Sequence, residues 1–209
     1  MQEENKTERS IPSTEEQIKA AARRVFTRKG YAATRTRDIA EESGHNLALL
    51  NYYFRSKEKL FNIIMMEHLH LFIKDVLGIV NDESTTLPQK LELLVAHYID
   101  MLLANPGVPV FMLHIINTNP DELLNNVASA LDTEQLVLVK QWRQFAAAGN
   151  VTLKPAHIIM NLLGLTIFPF IASPMIKRKL HVSDQEFIAL MTERKQLVPV
   201  WMKAILASS

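Results

Sequence analysis

The chain has 209 residues, 48% of them hydrophobic and 22% charged, with six glycines, nine prolines and no cysteine. That length holds one mid-sized domain or a small domain joined to a larger one, and so few breakers favour helices throughout. The missing cysteines exclude disulfides and thiolate metal sites; the net charge of +1 hides ten Lys/Arg against four Asp/Glu in residues 17–60, a basic segment suited to a polyanion ahead of a mildly acidic remainder.

Residues 1–12 read as a polar, flexible tail with no apolar stretch of the kind that directs secretion, which fits a cytoplasmic protein. Ser13 or Thr14 can cap a first helix, with Glu15 and Glu16 placed where the helix dipole favours negative charge. Ile18, Ala21, Ala22, Val25 and Phe26 recur at helical spacing, and Gly30 supplies the stop. A second short helix follows Thr36, runs through Ile39 and Ala40, and ends at Gly44. Asn46 is placed to cap a third helix over 47–54, and Ser56 a long apolar fourth.

Beyond these, Pro88 opens a helix running to about Ala104, where Asn105, Pro106 and Gly107 break it. A short helix is expected over 110–117, then a long one from Pro120 to about Ala148. Pro155 begins a stretch to Ile176 without Asp, Glu, Lys or Arg, long enough to cross a bilayer. Pro169 and Pro174 would break such a span, so a buried interface helix and no membrane contact are expected. Asp184 opens a final helix, expected to be interrupted at Pro199.

The informative segment is 34–60, TRTRDIAEESGHNLALLNYYFRSKEKL. Two short helices joined by a tight glycine turn, the second with small and polar residues on one side, are the construction of a helix-turn-helix. Ile39, Leu50 and Phe54 are spaced to pack on Val25 and Phe26, which leaves Leu47, Ala48 and Asn51 for a DNA major groove. Arg37 could pair with guanine and Asn51 with adenine, while Leu47 and Ala48 could touch thymine methyls.

This run resembles the N-terminal domain of TetR-family regulators over residues 17–64. The shared pattern comprises Phe26, Gly30 and Tyr31; Thr36, Ile39 and Ala40; Gly44; then Leu50, Tyr53, Phe54, Ser56, Lys57, Glu58, Leu60 and Phe61. The resemblance implies phosphate contacts from Thr36, Tyr53 and Lys57, a base-edge contact from Arg37, and base-facing positions at Leu47, Ala48 and Asn51. Asn46 and Tyr52 complete the DNA-binding candidates. The chain departs from the family where His45 replaces an apolar residue under the turn, and where Asn51 replaces a frequent tyrosine.

Histidines 68 and 70 lie two apart on a helix and point in different directions, so they cannot share a metal ion. Neither a Gly-rich phosphate loop nor a paired nucleophile and base appears, so no catalytic residue, metal or cofactor is expected. The rival classes are a ligand-carrying helical protein and a protein-docking module. The apolar C-terminal half could line a ligand pocket with polar or aromatic groups at Tyr98, Phe111, His114, Asn117, Trp142 and Asn161.

The expected protein is therefore all-α: a tail over 1–12, a three-helix helix-turn-helix DNA-binding domain over 13–58, and a helical effector-binding and dimerisation domain over 59–209. The implied partners are double-stranded palindromic operator DNA, a second copy of the chain, and a largely apolar small-molecule effector that relieves repression. The resemblance puts the dimer interface at 155–171 and 184–206.

Overall fold

A computed structural model describes residues 12–118, 121, 135–149 and 154–207, and all regular structure among them is helical. The chain divides into two compact units, one ending at Met66 and the other beginning at Glu67.

In the first unit, helix α1 spans Thr14–Ala33. Ser13 caps it, its Oγ accepting the Glu16 amide at 3.2 Å. Gly30, at φ 73° and ψ 164°, breaks the helical geometry, and the chain makes one more turn before α2 instead of stopping at the glycine. Helix α2 spans Thr36–Ser43, and Asp38 closes its start by accepting the Arg35 amide at 2.8 Å. Gly44 ends α2 in the left-handed conformation (φ 72°), which L residues adopt only at a cost. There the Gly44 amide bonds the Glu41 carbonyl and the His45 amide reaches back to Ala40, so both leftover carbonyls are satisfied.

Helix α3 spans Leu47–Phe54, capped by Asn46, whose Oδ1 accepts the Leu49 amide at 2.8 Å. Arg55 turns the chain at φ 61°, and Ser56 caps α4, Lys57–Asn81, by accepting the Lys59 amide at 3.0 Å. The apolar stripes converge as their spacing predicts. Ile18, Ala21, Ala22, Val25 and Phe26 of α1 are buried, with Ile39 and Ala40 of α2, Leu50 and Phe54 of α3, and Leu60 and Ile64 of α4.

The second unit is built around α5, Leu87–Ala104, which packs against the helices named here α8, Pro155–Ile171, and α10, Asp184–Ala207. Between them lie α6, Val108–Thr118, α7, Val137–Ala147, and the short α9, Ser173–Leu180. Leu91, Leu94, Val95, Ile99 and Leu102 of α5 meet a core that includes Phe187, Met191, Val198, Met202 and Leu206 of α10. Lys90 is fully buried, and its ammonium binds the carbonyls of Asp82 and Thr85 and the Thr85 hydroxyl, closing the turn between α4 and α5.

Two expectations about helix ends need correction. The long helix from Pro120 falls partly outside the described residues, and its described end begins only at Val137, because Leu136 is extended at ψ 133°. The final helix is not interrupted at Pro199 but runs through it to Ala207. Val198 and Met202, both fully buried, hold the helix across the missing amide bond. No single helix among the described residues is long and apolar enough to cross a membrane, and the uncharged stretch bends by 65° between α8 and α9.

Pro169 inside α8 leaves its own gap. It has no N–H to give the Leu165 carbonyl four residues back. Arg194 of α10 fills it, its Nη2 donating to that carbonyl at 2.8 Å while the guanidinium lies 5.1 Å from the Trp201 ring centre. Arg194→Met should therefore cost about 1–3 kcal/mol by orphaning a partly buried carbonyl. In a Pro169→Ala background the restored amide takes over that carbonyl, and the cost should largely vanish. Urea unfolding of the four proteins of this cycle checks it; strictly additive losses would refute the pairing.

Candidate nucleic-acid interface

The first unit presents α3 outward. Leu50 and Phe54 anchor it in the core, so the turn geometry sends Ala48, Asn51 and Tyr52 to the opposite side, where all three are exposed. Tyr52 is 78% exposed and stands edge-on to Tyr53, ring centres 5.3 Å apart. Leu47 is half-buried, between base-facing and core roles, and Asn46 spends its side-chain oxygen on the cap. On the neighbouring helix Arg37 is exposed and Thr36 half-buried at the first position of α2. A protruding helix with a small, an amide and two aromatic side chains, beside an arginine, offers groups suited to both base edges and phosphates.

The helices behind it are braced by charge. Glu42 of α2 accepts from Arg24 Nε at 2.8 Å and Arg28 Nη2 at 2.9 Å, both on α1. Those guanidinium bonds hold the Glu42 carboxyl below its usual range. Asp38 is lowered too, chiefly by the Arg35 amide and then by Lys29, whose Nζ lies 3.1 Å away.

His45 does not disturb the turn. Its Nε2 donates to Gln17 Oε1 at 2.8 Å, and Gln17 Nε2 donates to the Pro12 carbonyl at 2.8 Å, so the polar ring is satisfied where an apolar one would pack. Lys57 behaves differently from a side chain waiting for phosphate: its ammonium bonds the carbonyls of Tyr31 (3.0 Å) and Thr34 (2.9 Å) and lies 4.3 Å from the Tyr31 ring centre.

In the second unit the pocket candidates separate. Phe111 and Trp142 are buried. Tyr98 packs edge-on to Phe72 at 4.7 Å, and burial pushes its phenol up to about 12, so it stays a neutral hydroxyl. Asn161 is half-buried. His114 and Asn117 lie on the exposed side of α6, their neighbours Phe111 and Ile115 having taken the inner face, so they are not brought to the others. Sequence reasoning passed over His97 as a ligand group. It stacks on Phe72 at 4.9 Å, with a buried Nε2 that has no hydrogen-bond partner among the described residues and sits 3.8 Å from Asp75 Oδ2. Among the described residues no group of acidic, histidine or cysteine side chains is arranged to hold a metal.

Comparison with known proteins points the same way. Residues 18–64 match the family described as bacterial regulatory proteins, tetR family. The chain is 22% identical over 200 residues to the probable HTH-type transcriptional regulator YttP of Bacillus subtilis, covering 92% of this chain and 94% of that one. It is 26% identical over 177 residues to the HTH-type transcriptional regulator RutR of Escherichia coli O157:H7, covering 77% and 76%. Its fold is similar to the crystal structure of the transcriptional regulator FadR from Bacillus subtilis in complex with stearoyl-CoA. That likeness has a TM-score of 0.55 at 16% identity and covers 88% of this chain and 96% of that one.

Proposed function

We propose that the chain, whose residues 18–64 match the tetR family of bacterial regulatory proteins, is a ligand-relieved repressor of that family that binds a palindromic operator as a homodimer. The family is one of regulators and not of enzymes. The observation that carries the reading is the outward face of α3, with Ala48, Asn51 and Tyr52 exposed above the buried Leu50 and Phe54. In this reading Asn51 and Arg37 read base edges, Leu47 and Ala48 meet thymine methyls, and Thr36, Tyr52 and Tyr53 set register on phosphates. The division into a head over 13–58 and an effector-binding, dimerising body over 59–209 belongs to the same proposal, as does a cytoplasmic location.

One recognition helix contacts too few base pairs for useful affinity, so two heads on a two-fold axis are needed. The faces suited to that axis are on α8 and α10, which pack together and carry exposed Ile159, Met160 and Phe168 on one and Leu197, Val200 and Trp201 on the other. The effector is proposed to be largely apolar, with its polar end met by Tyr98 or His97. FadR's stearoyl-CoA, an apolar chain with a polar end, is the precedent for that chemistry in this fold. Effector binding relieves repression only through a difference in affinity for DNA-competent and incompetent states.

The test is a fluorescence-anisotropy titration against duplexes selected from a random-sequence pool. The wild type should bind a palindromic winner with a steep salt dependence. Asn51→Ala should lose about 1–3 kcal/mol per half-site of that duplex and shift the selected sequence at one position in each half. Equal binding to every duplex would overturn the proposal.

A further inference from the structure

We infer that Arg55, at the corner where the chain leaves α3, is a DNA-phosphate contact, kept there despite a strained backbone. The inference deepens the regulator reading above and rests on it. It begins with a turn. The Ser56 amide donates to the Phe54 carbonyl at 2.7 Å, with Arg55 between them at φ 61° and ψ −39°. That is the rarer form of the γ-turn, strained for any residue that carries a Cβ. Elsewhere in the first unit the described positions of positive φ are Gly30 and Gly44, and glycine takes such a conformation without a steric cost. Among the described residues of that unit, Arg55 alone places a side chain there.

Nothing within the described chain offsets this strain. The Arg55 side chain is exposed and makes no hydrogen bond or ion pair among the described residues. Other cations of the same unit are engaged: Lys19 with Glu16, Arg24 and Arg28 with Glu42, Lys29 with Asp38, and Lys57 with two carbonyls. Glycine would make the same corner more easily, so an arginine there points to a task outside the molecule. Its position says which. The Arg55 amide bonds the Asn51 carbonyl at 2.9 Å, so its Cα lies one turn beyond Asn51 and three residues beyond Tyr52, both exposed. A recognition helix reads base edges mainly from its first residues, and its C-terminal end meets the sugar–phosphate backbone. A guanidinium at that end, with five donors and no internal partner among the described residues, is suited to a phosphate.

A phosphate contact and a solvated charge differ in salt dependence. Each phosphate neutralised contributes about 0.9 to the salt slope, so losing Arg55 from both heads of the proposed dimer should lower it by about 1.8. The strain predicts that the same substitution makes the protein more stable. The experiment uses the full chain as wild type, Arg55→Gly, Arg55→Asn, Arg55→Lys and Arg178→Gln. Each is melted thermally and titrated against the duplex selected from the random pool over a series of salt concentrations. Arg55→Gly should melt about 2–8 °C higher than the wild type. It should nevertheless bind about tenfold or more weakly, with a slope lower by about 1.8 and the same preferred sequence. Arg55→Asn, another residue tolerant of positive φ, should lose the slope equally. Arg55→Lys should keep both the slope and the wild-type melting temperature. Arg178, an exposed cation on α9, controls for net charge, and its loss should leave the slope unchanged.

Gly and Asn variants with the wild-type slope would make Arg55 an ordinary solvated charge and overturn the proposal. So would a Gly variant that melts no higher than the wild type, or an Arg178→Gln variant that loses as much slope as the Gly variant does. A wild-type chain that prefers no duplex in the pool overturns the regulator reading and this proposal together. An unchanged slope for Arg55→Gly beside a sequence-selective wild type removes this contact alone.

Discussion

Phe54→Ala is expected to abolish DNA binding by unfolding the N-terminal unit while the C-terminal unit stays folded. Phe54 is 1% exposed and closes the small core shared by α1 to α4. Truncating a buried phenylalanine to alanine costs about 3–5 kcal/mol. A unit of this size buries too little surface to have much more stability than that in reserve. Limited proteolysis should cut the variant within residues 13–66 and spare a fragment beginning near Glu67, where the second unit starts. Asn51→Ala is the control, since its exposed side chain reports on DNA alone and should leave the protease pattern unchanged. A Phe54→Ala protein that resists the protease and binds the selected duplex normally would mean that α3 does not depend on this anchor, and the geometry argued for the interface would fall with it.

The anchor also shows why the head could be read from its residues. Ser13, Asn46 and Ser56 each satisfy the amide three positions on, and Gly44 satisfies carbonyls within its own turn. Such signals are local, so the helix starts follow from spacing alone. The buried positions Ile18, Val25, Ile39, Leu50 and Phe54 follow from period in the same way. What the sequence could not carry are the contacts across the fold. His45 meets Gln17 28 positions away, Arg194 meets Leu165 29 away, and Lys57 meets Tyr31 26 away. No periodicity announces a lysine that caps another helix, and Lys90, a residue type almost always exposed, is fully buried for the same kind of reason. Among the pocket candidates, His114 and Asn117 were chosen for polar character and not for helix phase. Phase puts Phe111 and Ile115 inside, and His114 and Asn117 then stay exposed.

Phe168→Glu combined with Val200→Glu should convert the proposed dimer into a monomer and lower affinity for a palindromic duplex by about 10²–10⁴-fold, the range lost when two linked binding events become independent. Phe168 is 60% exposed on α8 and Val200 61% on α10, so neither supports the fold of the single chain, and helix content and melting of the isolated protomer should be preserved. Both lie on helices with other exposed apolar residues, Ile159 and Met160 on α8 and Leu197 and Trp201 on α10. Exposed apolar side chains gathered on two helices that pack together are candidates for an association site. On a two-fold axis each substitution occurs twice, so the double variant places four carboxylates in one apolar interface, each paying a desolvation cost of several kcal/mol without a cation to meet it. Sedimentation velocity across a concentration series reads the assembly state, and anisotropy on whole and half operators reads the consequence. The monomer should bind the half-site about as well as the wild-type dimer does, losing only the gain from the second half. A double variant that sediments as the wild type does, or a wild type that is monomeric at concentrations where it fills the palindrome, would place the dimer axis elsewhere or remove it.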